Sequence, residues 1–232
     1  RQMCIRDSFN AGSGSNQSNH LFKSGAVHQA VHLRGCKFAS SAYIMSPALE
    51  GAFTMVMGHH SYHHDTSAFP YSYLIEKEGH SHLMPGANLT SFGAVRDIEK
   101  WPSRDRRTVC RDIINFEEYN PYVAGAMLEA VNILHELEER DPDAQVYTYN
   151  KAIIRATALR RGLKLYNKAI VAALGAMLGK GGFDPHYDGS GRWLDLAGQY
   201  ITRREVAAIL DAVDRGELTT PAAVDNRFRV FA

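Results

Sequence analysis

The sequence predicts a mainly β fold, a β solenoid of the left-handed parallel β-helix, hexapeptide-repeat type, followed by an α-helical C-terminal region. Three observations lead there. From residue 10 to about residue 115, Gly, Ser and Asn recur at close intervals, with brief apolar runs between them such as Ala42–Met45, Phe53–Met57 and Tyr71–Ile75. Leu21, Val27 and Leu33 stand six residues apart, each followed by small or polar residues. That beat suits a triangular coil that points one aliphatic side chain inward from each side. After residue 115 the apolar period lengthens to that of a helix.

The helical signals come in order. Asn120-Pro121 pairs an N-cap with proline at the first helical position, and Val123, Met127, Val131, Leu134 and Leu137 then share one face until Asp141-Pro142. A longer helix is expected over residues 150–178, ended by Gly179 and the Gly181-Gly182 pair. Thr202 with Glu205 makes a capping box, and Thr220-Pro221 opens a fourth helix. The expected division is a leader foreign to the fold at residues 1–8, β-helix coils with the candidate site at 9–115, and a helical region at 116–232 that reads as cut at its C-terminal end.

Composition narrows the function classes. A formal net charge of +1 over 232 residues gives no general field for nucleic acid or acidic membranes. The most apolar run, Ala169–Leu178, falls short of the roughly 18 residues a membrane helix needs. Cys4, Cys36 and Cys110 follow no metal or disulfide spacing and read as free thiols, so a cytoplasmic protein is expected.

Chemistry is expected between His59 and Arg107, in two clusters. The first is GHHSYHHDT at residues 58–66. On an extended strand His59 and His63 share one face, and His60 and His64 the other. His60 or His64 is the candidate general base, with Asp65 as its orienting acid if the chain turns there. His59 and His63 are candidate ligands of a divalent metal. The competing reading is that stacked, hydrogen-bonded histidines fill a corner of the solenoid. The second cluster is RDIEKWPSRDRR at residues 96–107. Arg96, Lys100, Arg104 and Arg106 are candidate phosphate ligands, Asp97 fixes a guanidinium in advance, and Trp101 offers a ring for stacking. Against this stands a solvated ion-pair network between the two halves. The basic stripe Arg160, Arg161, Lys164 and Lys168 reads as a solvated face or as a dock for Glu136, Glu138 and Glu139.

The histidine segment, the PGANL turn and RDIEKWPSRDRR followed by INFEEYNPY together resemble a bacterial family of unknown function, common in Bacteroidetes and spirochaetes. The resemblance covers residues 12–182. It implies a left-handed β-helix related in fold to sugar-nucleotide pyrophosphorylases and hexapeptide acyltransferases, several hundred residues long, so that coils expected upstream are missing here. By that fold analogy the chain would form trimers and move nucleotidyl or acyl groups. The resulting expectation is a transferase acting on, or binding, an anionic sugar-phosphate or nucleotide-sugar substrate. The alternatives are a non-catalytic scaffold and a metal-dependent enzyme centred on residues 59–65.

Overall fold

The structure, a computed structural model, describes residues 3–4, 9–18, 29–109, 112–180, 192–196 and 198–230. In the first half the chain alternates short strands with tight turns: β1 (Met3–Cys4), β2 (Phe9–Asn10), β3 (Asn16–Ser18), β4 (Val31–His32), β5 (Lys37–Phe38), β6 (Tyr43–Met45), β7 (Leu49–Glu50) and β8 (Met55–Met57). Two five-residue strands, β9 (Tyr73–Lys77) and β10 (His80–Met84), form a hairpin. A 3₁₀ turn (Ala87–Thr90) then leads into helix α1 (Phe92–Arg104). Helix α2 (Pro121–Arg140), strands β11 (Val146–Tyr149) and β12 (Ala152–Arg155), and helix α3 (Ala156–Gly179) follow. A hairpin of β13 (Trp193–Leu196) and β14 (Gln199–Thr202) precedes helices α4 (Arg203–Asp214) and α5 (Pro221–Arg229).

These elements correct the expected fold class. The largest sheet has eight strands in the order β1-β2-β5-β8-β9-β10-β12-β11, and it is mixed. Strands β2, β5, β8 and β9 run parallel, whereas β1–β2, β9–β10 and β11–β12 pair antiparallel. Three two-stranded sheets, β3–β6, β4–β7 and β13–β14, complete the set among the described residues. With five helices this is an α/β arrangement and not a hexapeptide β-helix with a helical appendage. Of the six-residue series, Leu21 and Val27 lie outside the described residues.

The sheet also runs across the boundary expected near residue 115, because β12 pairs in parallel with β10 at His82↔Ile153. Residues 150–155, expected to open a helix, are instead the hairpin turn at Asn150 and Lys151 and strand β12. Ile153 and Ile154 are β-branched, and Ile154 is buried in the sheet.

Three of the parallel pairs in the first half, β4–β7, β5–β8 and β8–β9, share one chain interval, whereas Asn10↔Lys37 and Asn16↔Tyr43 stand further apart. His32 and Glu50, paired across β4–β7, are 18 residues apart, and the same interval separates Lys37, Met55 and Tyr73. That interval stacks one kind of turn upon itself. Gly35, Phe53 and Tyr71 all take positive φ, at 69°, 57° and 54°. The Phe53 and Tyr71 rings stack at 4.7 Å, and the glycine leaves room for the first of them: a Cβ on Gly35 would stand 2.2 Å from the Phe53 ring.

One core joins strands and helices. Val56, Leu74, Leu83 and Ile154 point from the large sheet to the inside, where α2 supplies Val123, Met127, Ala130 and Leu134, and α3 supplies Leu159, Leu163, Tyr166 and Ile170. Gly162 lets α3 approach closely, since a Cβ there would meet Pro85 Cβ at 2.8 Å. The expected caps form: Asn120 accepts from Val123 N–H, Thr202 and Glu205 close a capping box, and Thr220 accepts from Ala223 N–H. Arg160 reaches Glu138 at 2.9 Å, so at that residue the basic stripe docks on the acidic helix.

Segments remote in sequence meet at Arg34, which is 4% exposed. Its Nε donates to Asp195 Oδ2 at 2.6 Å, and its Nη2 donates to Asp195 Oδ1 and to the Gly198 carbonyl, each at 3.1 Å. Nη1 donates to the Asn115 carbonyl, and the guanidinium lies 4.5 Å over the Tyr200 ring. Removing one partner of a buried pair leaves an uncompensated charge, which costs about 3–5 kcal/mol. Arg34→Ala is therefore expected to lower unfolding stability by that amount in urea titration, and Arg34→Lys, which keeps the charge but loses the planar fork, by a large part of it.

Candidate functional site

Helix α1 begins at Ser91, whose side chain accepts from Gly93 N–H. Its helical period divides the arginine-rich motif between two faces. Ala94, Ile98 and Trp101 turn toward the sheet, with Ala94 and Trp101 buried, while Arg96, Glu99, Ser103 and Arg104 are exposed. Asp97 lies on the helix, and its side chain is outside the described residues. Arg106 is exposed beyond the helix end. The ion pairing expected of this segment is found at Arg107, which grips Asp105 with Nε and Nη2 and reaches Asp112 at 3.5 Å. That guanidinium, hydrogen-bonded to the Asp105 carboxylate, holds it below the usual carboxylate range.

Lys100 and Trp101 therefore separate from the arginines and meet residues from the sheet instead. Between α1 and the outer faces of β2, β5, β8 and β9 lies a cleft of about 110 Å³, to which Asn10, Lys37, Tyr73, Asn88, Lys100 and Trp101 contribute. The shared interval of β5, β8 and β9 sets Lys37, Met55 and Tyr73 side by side on this face. Lys37 and Lys100 each bring an ammonium group to the cleft, and no carboxylate side chain lines it among the described residues. Asn10 Oδ1 is buried without a hydrogen-bond partner among the described residues and can accept from a ligand hydroxyl. Asn88 is fixed by donating to the Phe53 carbonyl at 2.7 Å. At roughly 10–15 Å³ per water, the enclosed space suits a phosphoryl group and part of a sugar ring, and is too small for a whole nucleotide sugar.

The histidine segment is arranged differently. His60 and His64 are buried, at 0% and 2% exposure, on either side of Ser81. His60 Nε2 lies 3.0 Å from the Met57 carbonyl, which can only accept, so Nε2 carries the proton and Nδ1 accepts from the Ser81 hydroxyl at 2.8 Å. Ser81 Oγ in turn accepts from His64 Nε2–H at 2.9 Å. His64 Nδ1 is left as a buried acceptor with no partner among the described residues. Burial holds both imidazoles down, to about 4 in each case, with His59 further disfavouring the charge on His60 and His60 and His63 that on His64. The arrangement is a directed chain of neutral groups.

Asp65 does not orient His64. Its Oδ1 accepts from Ser67 N–H and Ser67 Oγ–H, at 3.1 and 2.6 Å, in a turn on the surface. His59 is exposed and stacks on Tyr43 at 5.8 Å, while His63 Nδ1 stands 3.4 Å from the Met45 carbonyl. Among the described residues no three His, Cys, Asp or Glu side chains come together as a metal-ligand set. No described helix is long and apolar enough to cross a membrane.

Sequence reasoning missed the sheet side of the cleft, Asn10, Lys37 and Tyr73. The signal that could have found it is the interval that places Lys37 beside Met55 and Tyr73. It also missed His32 and Glu50, which form a close pair inside the β4–β7 sheet. There burial raises the Glu50 carboxyl above its ordinary value against the opposing effect of His32.

A model of a family described as Domain of unknown function (DUF4954) matches residues 4–138, a span that contains both clusters and the cleft. No curated protein and no solved structure matches the chain.

The histidine chain carries a pH dependence. In the unfolded chain an imidazole protonates near 6.5, while in the fold His60 and His64 do so only near 4. The unfolded state thus binds more protons between those values, and stability present above pH 6.5 is lost as pH falls toward 4. Each group contributes roughly 3 kcal/mol to that loss. The urea midpoint is expected to fall steeply across this window, and His64→Gln, whose amide can still donate to Ser81, to remove about half of the fall. A midpoint that stays flat from pH 6.5 to 4 would show that both imidazoles protonate freely in the folded protein.

Proposed function

We propose that this chain, which belongs to the DUF4954 family of unknown function, binds a small phosphorylated sugar in the cleft under α1. The observation that carries this reading is that Lys37 from the sheet and Lys100 from α1 both line a partly enclosed cleft to which no carboxylate contributes among the described residues. Ammonium groups in a partly dehydrated site attract a dianionic phosphoryl group more strongly than they would in open water. The Trp101 and Tyr73 rings give a sugar ring an apolar wall, and Asn10 supplies an acceptor for one of its hydroxyls. The volume favours a sugar phosphate over a nucleotide sugar.

Binding is the part of the expected transferase activity that the geometry supports. The candidate bases His60 and His64 do not line the cleft, and their nitrogens other than His64 Nδ1 are engaged by Ser81 and Met57. The internal pairing of the histidines instead favours a structural role for that segment. A scaffold without ligand is the competing reading, and it predicts that changes in the cleft alter melting temperature alone.

Calorimetry with a hexose 1-phosphate, the free hexose and a nucleotide sugar separates the two. The hexose phosphate is expected to bind and the free hexose not to. Lys100→Ala should weaken binding by about 10- to 100-fold, the equivalent of a charged hydrogen bond worth roughly 1.5–3 kcal/mol. Lys100 is half-exposed, so the unliganded variant should melt within a few degrees of the wild type. Equal binding by Lys100→Ala and wild type, or no binding of the phosphate at all, overturns the reading. Tighter binding of the nucleotide sugar overturns the argument from size.

A further inference from the structure

The outer face of the large sheet does not end at the cleft. Tyr73, which lines the cleft from β9, pairs directly with Met84 of β10, and from there the face continues through His82 to Ile153 of β12. Beside it lies a second, more open cavity of about 390 Å³. Its floor is apolar, made by Ile75, Met84 and Ile153, all half-buried, with Leu83 beneath them. Its walls are cationic: Lys77 from β9, Arg155 at the end of β12 and Arg161 from the second turn of α3. No Asp or Glu lines it among the described residues. Lys77 Nζ stands 3.7 Å from the carboxylate of Glu78, which is exposed. Arg161 makes a single long hydrogen bond to Thr90 Oγ1, at 3.3 Å.

We infer that this groove is a second ligand site, for an amphipathic anion with a carboxylate head on an unbranched apolar tail. Ile75 and Ile153 flank His82 on the neighbouring strands, and Met84 lies two residues further along β10. These three half-buried aliphatic and thioether side chains present a surface that an alkyl chain covers and a sugar or free phosphate does not. The paired N–H groups of a guanidinium match the two oxygens of a carboxylate, and Arg155 and Arg161 both stand at the groove. A volume near 400 Å³ falls within the range of small-molecule sites. The local field has the same sign: after burial, the neighbouring Arg155, His80 and Lys77 disfavour the charged form of His82. This site does not rest on the sugar-phosphate reading, because Lys37, Lys100 and Trp101 take no part in it.

The test is calorimetry on the full chain with hexanoate, octanoate and decanoate below their micellar concentrations, with octylammonium and a glutamate-rich peptide as controls. The carboxylates are expected to bind with affinity rising at least twofold per added methylene, given roughly fourfold for a fully buried one. Octylammonium is expected not to bind. The double variant Arg155→Gln/Arg161→Gln should weaken decanoate binding at least tenfold. Arg155 caps α3 with its backbone only, and no cap hydrogen bond of its side chain is lost, so a circular dichroism melt close to wild type is expected. Lys100→Ala should leave decanoate binding unchanged, which separates this site from the cleft. The inference is overturned by absent binding, by octylammonium binding equally, or by an unaltered affinity in the double variant. Loss of decanoate binding in Lys100→Ala, or tighter binding of the glutamate-rich peptide, overturns it as well.

Discussion

The Arg34 guanidinium is the point at which segments remote in sequence are made to share one structure. A buried arginine needs its donors satisfied, and this one finds acceptors at Asp195, Asn115 and Gly198. Each bond has a consequence elsewhere. Asp195 also accepts from Gly198 N–H at 2.8 Å, which shapes the β13–β14 turn. The Asn115 carbonyl lies on the chain returning from α1, five residues before the Asn120 cap of α2. The burial of Tyr200 against the guanidinium and of Tyr122 beside it, with Tyr122 pushed up to about 12 by that burial and then by Asp195, belongs to the same arrangement. Arg34 also precedes Gly35, where the chain turns under the Phe53 ring and opens one side of the cleft. A buried ion pair is weak evidence of added stability, since desolvation offsets most of the attraction. What it supplies here is a single allowed position for the hairpin and for the chain around Asn115.

The second organising constraint is the two-sidedness of the large sheet. Successive side chains on a strand face opposite ways, so Val56, Leu74, Leu83 and Ile154 build the core while Met55, Tyr73, Met84 and Ile153 remain on the outer face. Helix α1 covers only part of that outer face. The cleft is the seam along the helix, and the groove is the stretch the helix does not reach. Both derive their positive charge from the same source, lysine and arginine placed on outward positions of β5, β9 and β12 or on the flanking helices.

How much of this was legible in the sequence depended on the range of the signal. Helix starts were, because a cap is a local event: Asn120-Pro121, Thr202 with Glu205, and Thr220-Pro221 each satisfy backbone N–H groups within three residues. The fold class was not. Short apolar runs between Gly, Ser and Asn turns read alike whether the strands stack only in parallel or join a mixed sheet, and the pairing of β10 with β12 spans about seventy residues that no local pattern reports. Helix α1 was hidden because Gly93 and Pro102, in its first and last turns, read as turn residues although Ala94, Ile98 and Trp101 keep a helical spacing, and without that helix the split between Lys100 and Arg96 is invisible. Of the motif, Lys100 and Trp101 reach the cleft. His60 and His64 were recognised as unusual, but two close histidine pairs look the same in sequence whether they face solvent or, as His60 and His64 do, enclose Ser81.

Local charge, and not the net charge, governs what such a chain attracts. Over distances beyond a Debye length, about 8 Å at physiological salt, a net charge of +1 is screened to nothing useful. Charges that line one partly enclosed cleft are screened less, because the effective dielectric there is lower than that of open water. The same reasoning separates the arginines of the motif from its lysine. Arg96 and Arg104 are exposed on the far side of α1, whereas Lys100 is half-buried and lines the cleft beside Trp101 and Tyr73. An excess of arginines in a sequence is therefore a poorer guide to an anion site than the one cation that a helix turns inward.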